Sequence, residues 1–250
     1  MPPRSEQHSG LVHAQALTGS ERRAASRSRG RDIAEIATAY GLILLVIWTP
    51  RPAQRLLWWV AATAVIVMTC ISFDGLRAMG LRRENFLRSL WIVGVALALA
   101  LGAVLISGRL HALRRLGGPA WLLENYWAYA IWAAVQQFLL QCFFLLRLQR
   151  LIGSPKIAAV AAAGIFALAH VPSPILVTVT LIWGTAACLL FVRYRNLYPL
   201  AIAHAILGIA LAIAIPGPVD HNMRVGLGYL TYNPHRHYGH AQRWSRSSQP

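Results

Sequence analysis

Acidic side chains are scarce in this chain: eight Asp and Glu stand against 24 Lys and Arg, and no two of them form a pair inside an apolar run. That excludes an intramembrane aspartate dyad. A Gly-x-Ser-x-Gly nucleophile elbow and a His-Glu-x-x-His metal helix are missing as well. Cysteine is equally sparse. Cys70, Cys142 and Cys188 lie in three separate apolar runs without CxxC or CxxH spacing, which excludes a disulfide framework and a zinc-thiolate site. They read as small buried hydrophobes. Charged residues of any sign make up only 13% of the sequence, against 56% hydrophobic residues and a mean hydropathy of +0.48. That balance excludes an ordinary soluble domain and points to a multispanning, all-α integral membrane bundle.

What charge there is lies in tails and short loops. Residues 1–32 hold six arginines and no apolar run of signal-peptide length, and read as a disordered basic arm. The formal net charge of +16 flanks apolar runs, so its expected partner is the anionic headgroup layer of the lipid bilayer rather than nucleic acid. The charge-free runs are 37–49, 56–73, 89–108, 125–146, 157–192 and 196–219. The fifth exceeds the roughly 20 residues one span needs, and Val171-Pro172-Ser173-Pro174 supplies a break within it. The count is then about seven transmembrane helices over residues 33–219, with the first run recruiting Glu35. The loop 109–124 has room for a short surface helix around Leu110 to Leu116. From residue 220 to 250 the chain reads as a His/Arg-rich tail in water or on headgroups; its His235-x-His237-x-x-His240 pattern is compositional evidence only. Lys and Arg are more numerous on the side that holds the N-terminus, which places that terminus inside, in a bacterial cytoplasmic membrane. Trp48, Trp58, Trp59, Trp91, Trp121 and Trp127 sit near run ends as interfacial anchors.

Against this apolar background a small polar set stands out. Gln136, Gln137 and Gln141 share one run, His170 lies at the break in the next, and His204 lies in the last. An imidazole or amide in hydrocarbon needs a partner. On a helix Gln137 and Gln141 share a face while Gln136 points about 100° away from Gln137. Helix-to-helix hydrogen bonding accounts for such amides without any chemistry. His170 follows Phe166 by four residues just before the proline break, and residues 157–170 make only about 21 Å of helix, short of the roughly 30 Å hydrocarbon thickness. The corner, and His170 with it, is therefore expected within the membrane. Two neutral imidazoles from different helices suit a divalent metal such as zinc, with a third or fourth donor to complete it. They also suit a proton relay in a transporter.

The order Gln136-Gln137-x-x-x-Gln141, Phe166-x-x-x-His170, then His204 after Leu197-Tyr198-Pro199-Leu200 resembles the CAAX prenyl endopeptidase and bacteriocin-processing (CPBP/Abi) family, over about residues 126–215. Its pattern is Glu-Glu-x-x-x-Arg, Phe-x-x-x-His and His-x-x-x-Asn on successive helices. The resemblance implies a membrane-embedded, metal-dependent endopeptidase acting on a membrane-associated peptide or protein. His170 and His204 would be metal ligands, Gln136 and Gln137 would stand for the paired glutamates, and Phe166 for the motif aromatic. Gln141 replaces the arginine and Gly208 the asparagine. An amide does not take up a proton at neutral pH, so Gln136 is no general base. Glu35 and Glu124 border spans as alternative carboxylates, and a metal-bound water can ionise near neutral pH without a strong base. Three readings follow: a metal-dependent endopeptidase, a catalytically silent relative acting as an immunity or scaffold protein, and a His-based transporter.

Overall fold

The computed structural model describes residues 19–113 and 119–233, and over them the chain is helical, with no strand. Helix α1 runs Gly19–Trp48, α2 Arg51–Ile71, the short α3 Phe86–Ser89, and α4 Trp91–Arg109. A long span follows: α5, Pro119–Phe138, continues through a π-helical stretch, Leu139–Leu145, into α6, Leu146–Ile152. Then come α7, Pro155–Leu168, α8, Pro174–Tyr194, and α9, Tyr198–Ala214. The break expected at Val171 to Pro174 separates α7 from α8, and Ser173 caps α8 by accepting from the Leu176 N–H at 3.4 Å.

Four helical segments are long and apolar enough to cross a membrane: Arg51–Ile71, Phe86–Arg109, Tyr126–Ile152 and Pro174–Tyr194. A fifth forms if the bent pair Tyr198–Ala214 and Gly217–Met223 is one span. The expected seven included α1 and α7. The uncharged part of α1 after Glu35 covers only Ile36 to Trp48, and α7 has 14 residues, so neither reaches the length that a single span requires. The spans turn large apolar side chains outward, among them Trp59, Ile66, Leu99, Leu101 and Ile182. Such a surface belongs in a lipid bilayer, and the chain is an integral membrane protein.

Three expectations need correction. Residues 19–32 are the first half of α1 rather than disordered arm: their alanines, arginines and glutamate favour helix, and the apolar half propagates it. Residues 1–18 lie outside the described residues. Over 110–113 the loop after α4 is a turn, and the remainder of the expected surface helix, 114–116, lies outside the described residues. Cys70 is exposed on the outer face of α2, unlike the buried Cys142 and Cys188.

The C-terminal stretch differs most. Pro216 ends α9, and the chain bends by 117° into α10, Gly217–Asp220, a 3-10 turn, His221–Met223, and α11, Gly226–Leu230. The expected water-borne tail is thus folded as far as residue 233, while His235, His237 and His240 lie outside the described residues. It is held by side chains that composition counts as merely polar. The His221 ring stacks on Tyr229 and Tyr232 with centroids 3.9 and 4.8 Å away. Gly226, at φ +53°, lets the backbone touch α1, where any Cβ would overlap Ile47, and its N–H donates to the Val171 carbonyl at 2.9 Å.

Packing between spans uses small side chains. On α7, Ala158, Ala159, Ala162 and Ala163 are all fully buried, and a Cβ at Gly184 of α8 would come within 3.3 Å of Ala163 and Phe166. Small residues let two backbones close in where no water drives association. This stripe continues at four-residue steps, Ala158, Ala162, Phe166 and His170, so the same contact that packs α7 aims its functional end. At the opposite pole, α1 is tied down by charge. Arg147, 1% exposed, donates to Glu35 at 2.6 Å and to the Phe143 carbonyl at 3.1 Å, while Ser72 donates to the other Glu35 oxygen at 2.5 Å. One turn on, Arg150 bridges Asp32 and Asp74 at 2.7 and 2.8 Å.

Removing one partner of a buried ion pair leaves the other charge uncompensated. Glu35→Ala or Arg147→Met is therefore expected to destabilise the protein by about 3–5 kcal/mol, whereas Glu35→Ala with Arg147→Met costs less than the two single changes together. Equilibrium unfolding in detergent micelles measures both, and additive losses would contradict the pairing.

Candidate functional site

Tyr129, Trp132 and Gln136 repeat at three- and four-residue steps along α5 and line one wall of a cavity of about 1280 Å³. Phe166 and His170 enter it from the α7 stripe, Trp183 from α8, His204 and Gly208 from the middle of α9. The two histidines that the sequence singled out line this same cavity. Phe166 stands between them, its ring centroid 4.9 Å from that of His170 and 6.0 Å from that of His204. Gln136 lines the same cavity.

His170 Nδ1 lies 2.8 Å from the Phe166 carbonyl, which can only accept, so Nδ1 carries the proton and Nε2 keeps its lone pair. His204 is buried among apolar neighbours, with Trp183 6.1 Å away, and among the described residues neither its Nδ1 nor Trp183 Nε1 has a hydrogen-bond partner. A buried polar atom left unmatched is costly, so these two atoms mark where a polar ligand would be welcome.

The other two glutamines do not join the site. Gln137 and Gln141 are fully buried between helices, and the Gln141 amide donates to Gln137 Oε1 at 3.2 Å. They share a face, as their spacing predicts, and it is the packing face. Gly208 marks a second departure from the motif: a Cβ there would overlap the Tyr129 hydroxyl, so the tyrosine of α5 fills the room that a side chain at 208 would need. Among the described residues no carboxylate lines the cavity. Glu35 is engaged by Arg147 and Ser72 and does not line the cavity, and Glu124 does not line it either.

Sequence reasoning missed Tyr129, Trp183 and the cap. The Tyr129-x-x-Trp132-x-x-x-Gln136 stripe could have flagged the first, since it continues the Gln136 face upward. Nothing in the polarity of residues 220–233 announced that Asn222, Met223 and Val225 would close one side of the cavity, as they do.

A divalent ion would find two imidazoles here. Among the described residues no group of three or more His, Cys, Asp and Glu comes together, so the side chains supply two of the three protein ligands that a catalytic zinc uses. The donor set does not fit a catalytic metal without a further ligand.

Residues 117–210 match the family model described as type II CAAX prenyl endopeptidase Rce1-like. No curated protein and no solved structure matches the chain.

Because Tyr129 fills the space at 208, restoring asparagine alone overpacks it. Gly208→Asn should cost about 1–3 kcal/mol or more of stability, and Tyr129→Ala in the same chain should recover most of that loss. Thermal melts of the single and double variants in detergent check this; a harmless Gly208→Asn would show that the tyrosine moves freely.

Proposed function

Residues 117–210 belong to the CAAX-protease family, and from that premise we propose that the chain binds a membrane-associated peptide or protein segment in the Gln136, His170 and His204 cavity without hydrolysing it. The observation that carries this reading is that His204 Nδ1 and Trp183 Nε1 are buried without a partner among the described residues, in a largely apolar cavity that Gln136 and His170 also line. A peptide backbone brings both the acceptor and the donor that such atoms lack, and the volume exceeds the roughly 300–1,000 Å³ of a small-molecule site. Hydrolysis needs more. Gln136 takes the place from which a glutamate would accept a proton, and an amide does not accept it. In this reading the protein works as a silent relative, an immunity or scaffold protein that captures a segment from the bilayer. It acts in the bacterial cytoplasmic membrane with the N-terminus inside.

A second reading rests on the tautomer of His170. Its Nδ1–H is tied to a backbone carbonyl, the arrangement that orients a metal-bound imidazole and leaves Nε2 to a cation. If the cavity recruits a further ligand, the protein is a metal-dependent endopeptidase, with His170 and His204 holding the ion, Lewis acidity as what the ion supplies, and Gln136 orienting a water or the scissile carbonyl.

Liposomes carrying a lipidated fluorogenic peptide separate the two. The parent protein is expected to bind the peptide and leave it intact, and Gln136→Glu to raise cleavage by about 10²-fold or more above background, the usual contribution of a positioned general base. Parental cleavage that disappears in His170→Ala, with bound metal lost in the His170→Ala, His204→Ala double variant, would replace the first reading with the second. Gln137→Glu, which buries a charge on the packing face instead, should gain no activity and lose stability.

A further inference from the structure

A second cavity, of about 1510 Å³, opens between α1, α2 and α5. Along it α2 packs on α1, and the Trp58 ring of α2 lies 5.5 Å from the Trp132 ring of α5. Its depth is lined by Val46, Ala62, Val65, Val135 and Phe138. Its mouth is different: Arg51, Gln54, Arg224 and Asn233 gather at the start of α2 and on the C-terminal cap. From Arg51 to Val65 the slot follows α2 for about 21 Å, deeper than one leaflet's share of the roughly 30 Å hydrocarbon core.

The shape and chemistry of this slot select an occupant. Its depth offers no partner for peptide N–H or C=O groups, so a polypeptide would bury unsatisfied backbone there. Water has no reason to fill a gap lined by valine, alanine and phenylalanine. An acyl chain has no polar group to satisfy and is the surrounding solvent. At the mouth, Arg51 and Arg224, the latter over the Tyr232 ring at 5.4 Å, are accompanied by the positive end of the α2 dipole, and among the described residues no acidic side chain lines the slot. Two guanidiniums and a helix N-terminus at the end of an acyl-sized slot match the phosphate of a lipid headgroup.

We propose that the slot between α1, α2 and α5 is a binding site for an anionic phospholipid, with its phosphate at Arg51 and Arg224 and one acyl chain running along α2 toward Val65. The site is separate from the His170 cavity and does not depend on how that cavity is used.

The test uses the full chain in detergent, incubated with phosphatidylglycerol or phosphatidylcholine of identical acyl chains, desalted, and analysed for retained lipid by mass spectrometry. Phosphatidylglycerol is expected to be retained about tenfold or more over phosphatidylcholine. Arg51→Gln with Arg224→Gln should erase that preference, and Ala62→Trp, which fills the slot, should lower retention of both lipids. Circular dichroism confirms that each variant keeps its helix content. Should the double variant unfold, Arg51→Gln alone decides, because Arg51 is exposed and its change leaves the packing intact. Equal retention of the two lipids overturns the proposal. So does a preference that survives loss of the arginines, or full retention in Ala62→Trp.

Discussion

The buried contact between Arg147 and Glu35 fixes where α1 lies, and the arrangement of the functional side follows from α1. A carboxylate and a guanidinium in a low-dielectric interior are each costly alone, so the middle of α1, where Glu35 lies, is held at the depth of Arg147. The π-helical stretch Leu139–Leu145 contributes to that match. Its wider turns rotate the residues after it relative to those before, so that Gln136 lines the cavity while Arg147, over the Phe143 ring at 3.7 Å, meets α1. With its inner half pinned, α1 presents Ile47 at its far end to Gly226, and Gly226 in turn bonds the carbonyl of Val171, beside His170. A charge pair near one pole thus bears on the position of an imidazole near the other, through one rigid helix and one close backbone approach.

The neutrality of the site is a coherent condition rather than three separate losses. In the pattern that this chain resembles, positions 136, 137 and 141 carry two negative charges and one positive charge. Here all three are amides. Replacing only the arginine would have left a buried carboxylate at 137 without its counter-charge, and replacing only the glutamates would have stranded the arginine. Gln137 and Gln141 instead satisfy part of each other's hydrogen-bonding at 3.2 Å with no ion to desolvate. The packing face carries no ion, although Gln137 Nε2 and Gln141 Oε1 stay buried without a hydrogen-bond partner among the described residues, and at Gln136 the cost falls on proton transfer.

Much of this was legible from residue spacing. Histidines at 170 and 204 with Gln136 in an apolar background must find company, and they do so in one cavity around Phe166. The opposite facing of Gln136 and Gln137 followed from 100° per residue, and the break at Val171 to Pro174 from proline chemistry. What stayed hidden depends on contacts across long sequence separations. Glu35 could not be matched with Arg147 by pattern, since nothing local links residues 112 apart. The π-helical stretch has no periodic signature of its own. The fold of residues 217–232 rests on a positive-φ glycine and on stacked rings of His221, Tyr229 and Tyr232, a combination that composition reads as hydrophilic tail.

The cap matters because it is shared. Ile43, Ile47, Trp132, Leu139, Met223 and Val225 line both the histidine cavity and the slot beside α2. The partition between the two spaces is therefore only one layer of side chains. Protein interiors are dense enough that a side chain pressed from one side gives way on the other, and a gap left empty forfeits the dispersion contacts of its lining. Filling the slot with hydrocarbon would support Ile47, Met223 and Val225 from behind and hold the cap against the histidines. Emptying it would leave the same residues free to relax outward. With lipid in the slot, the geometry around His170 would be set partly from the far side of that wall, and the membrane would enter the site as a structural element as well as a solvent.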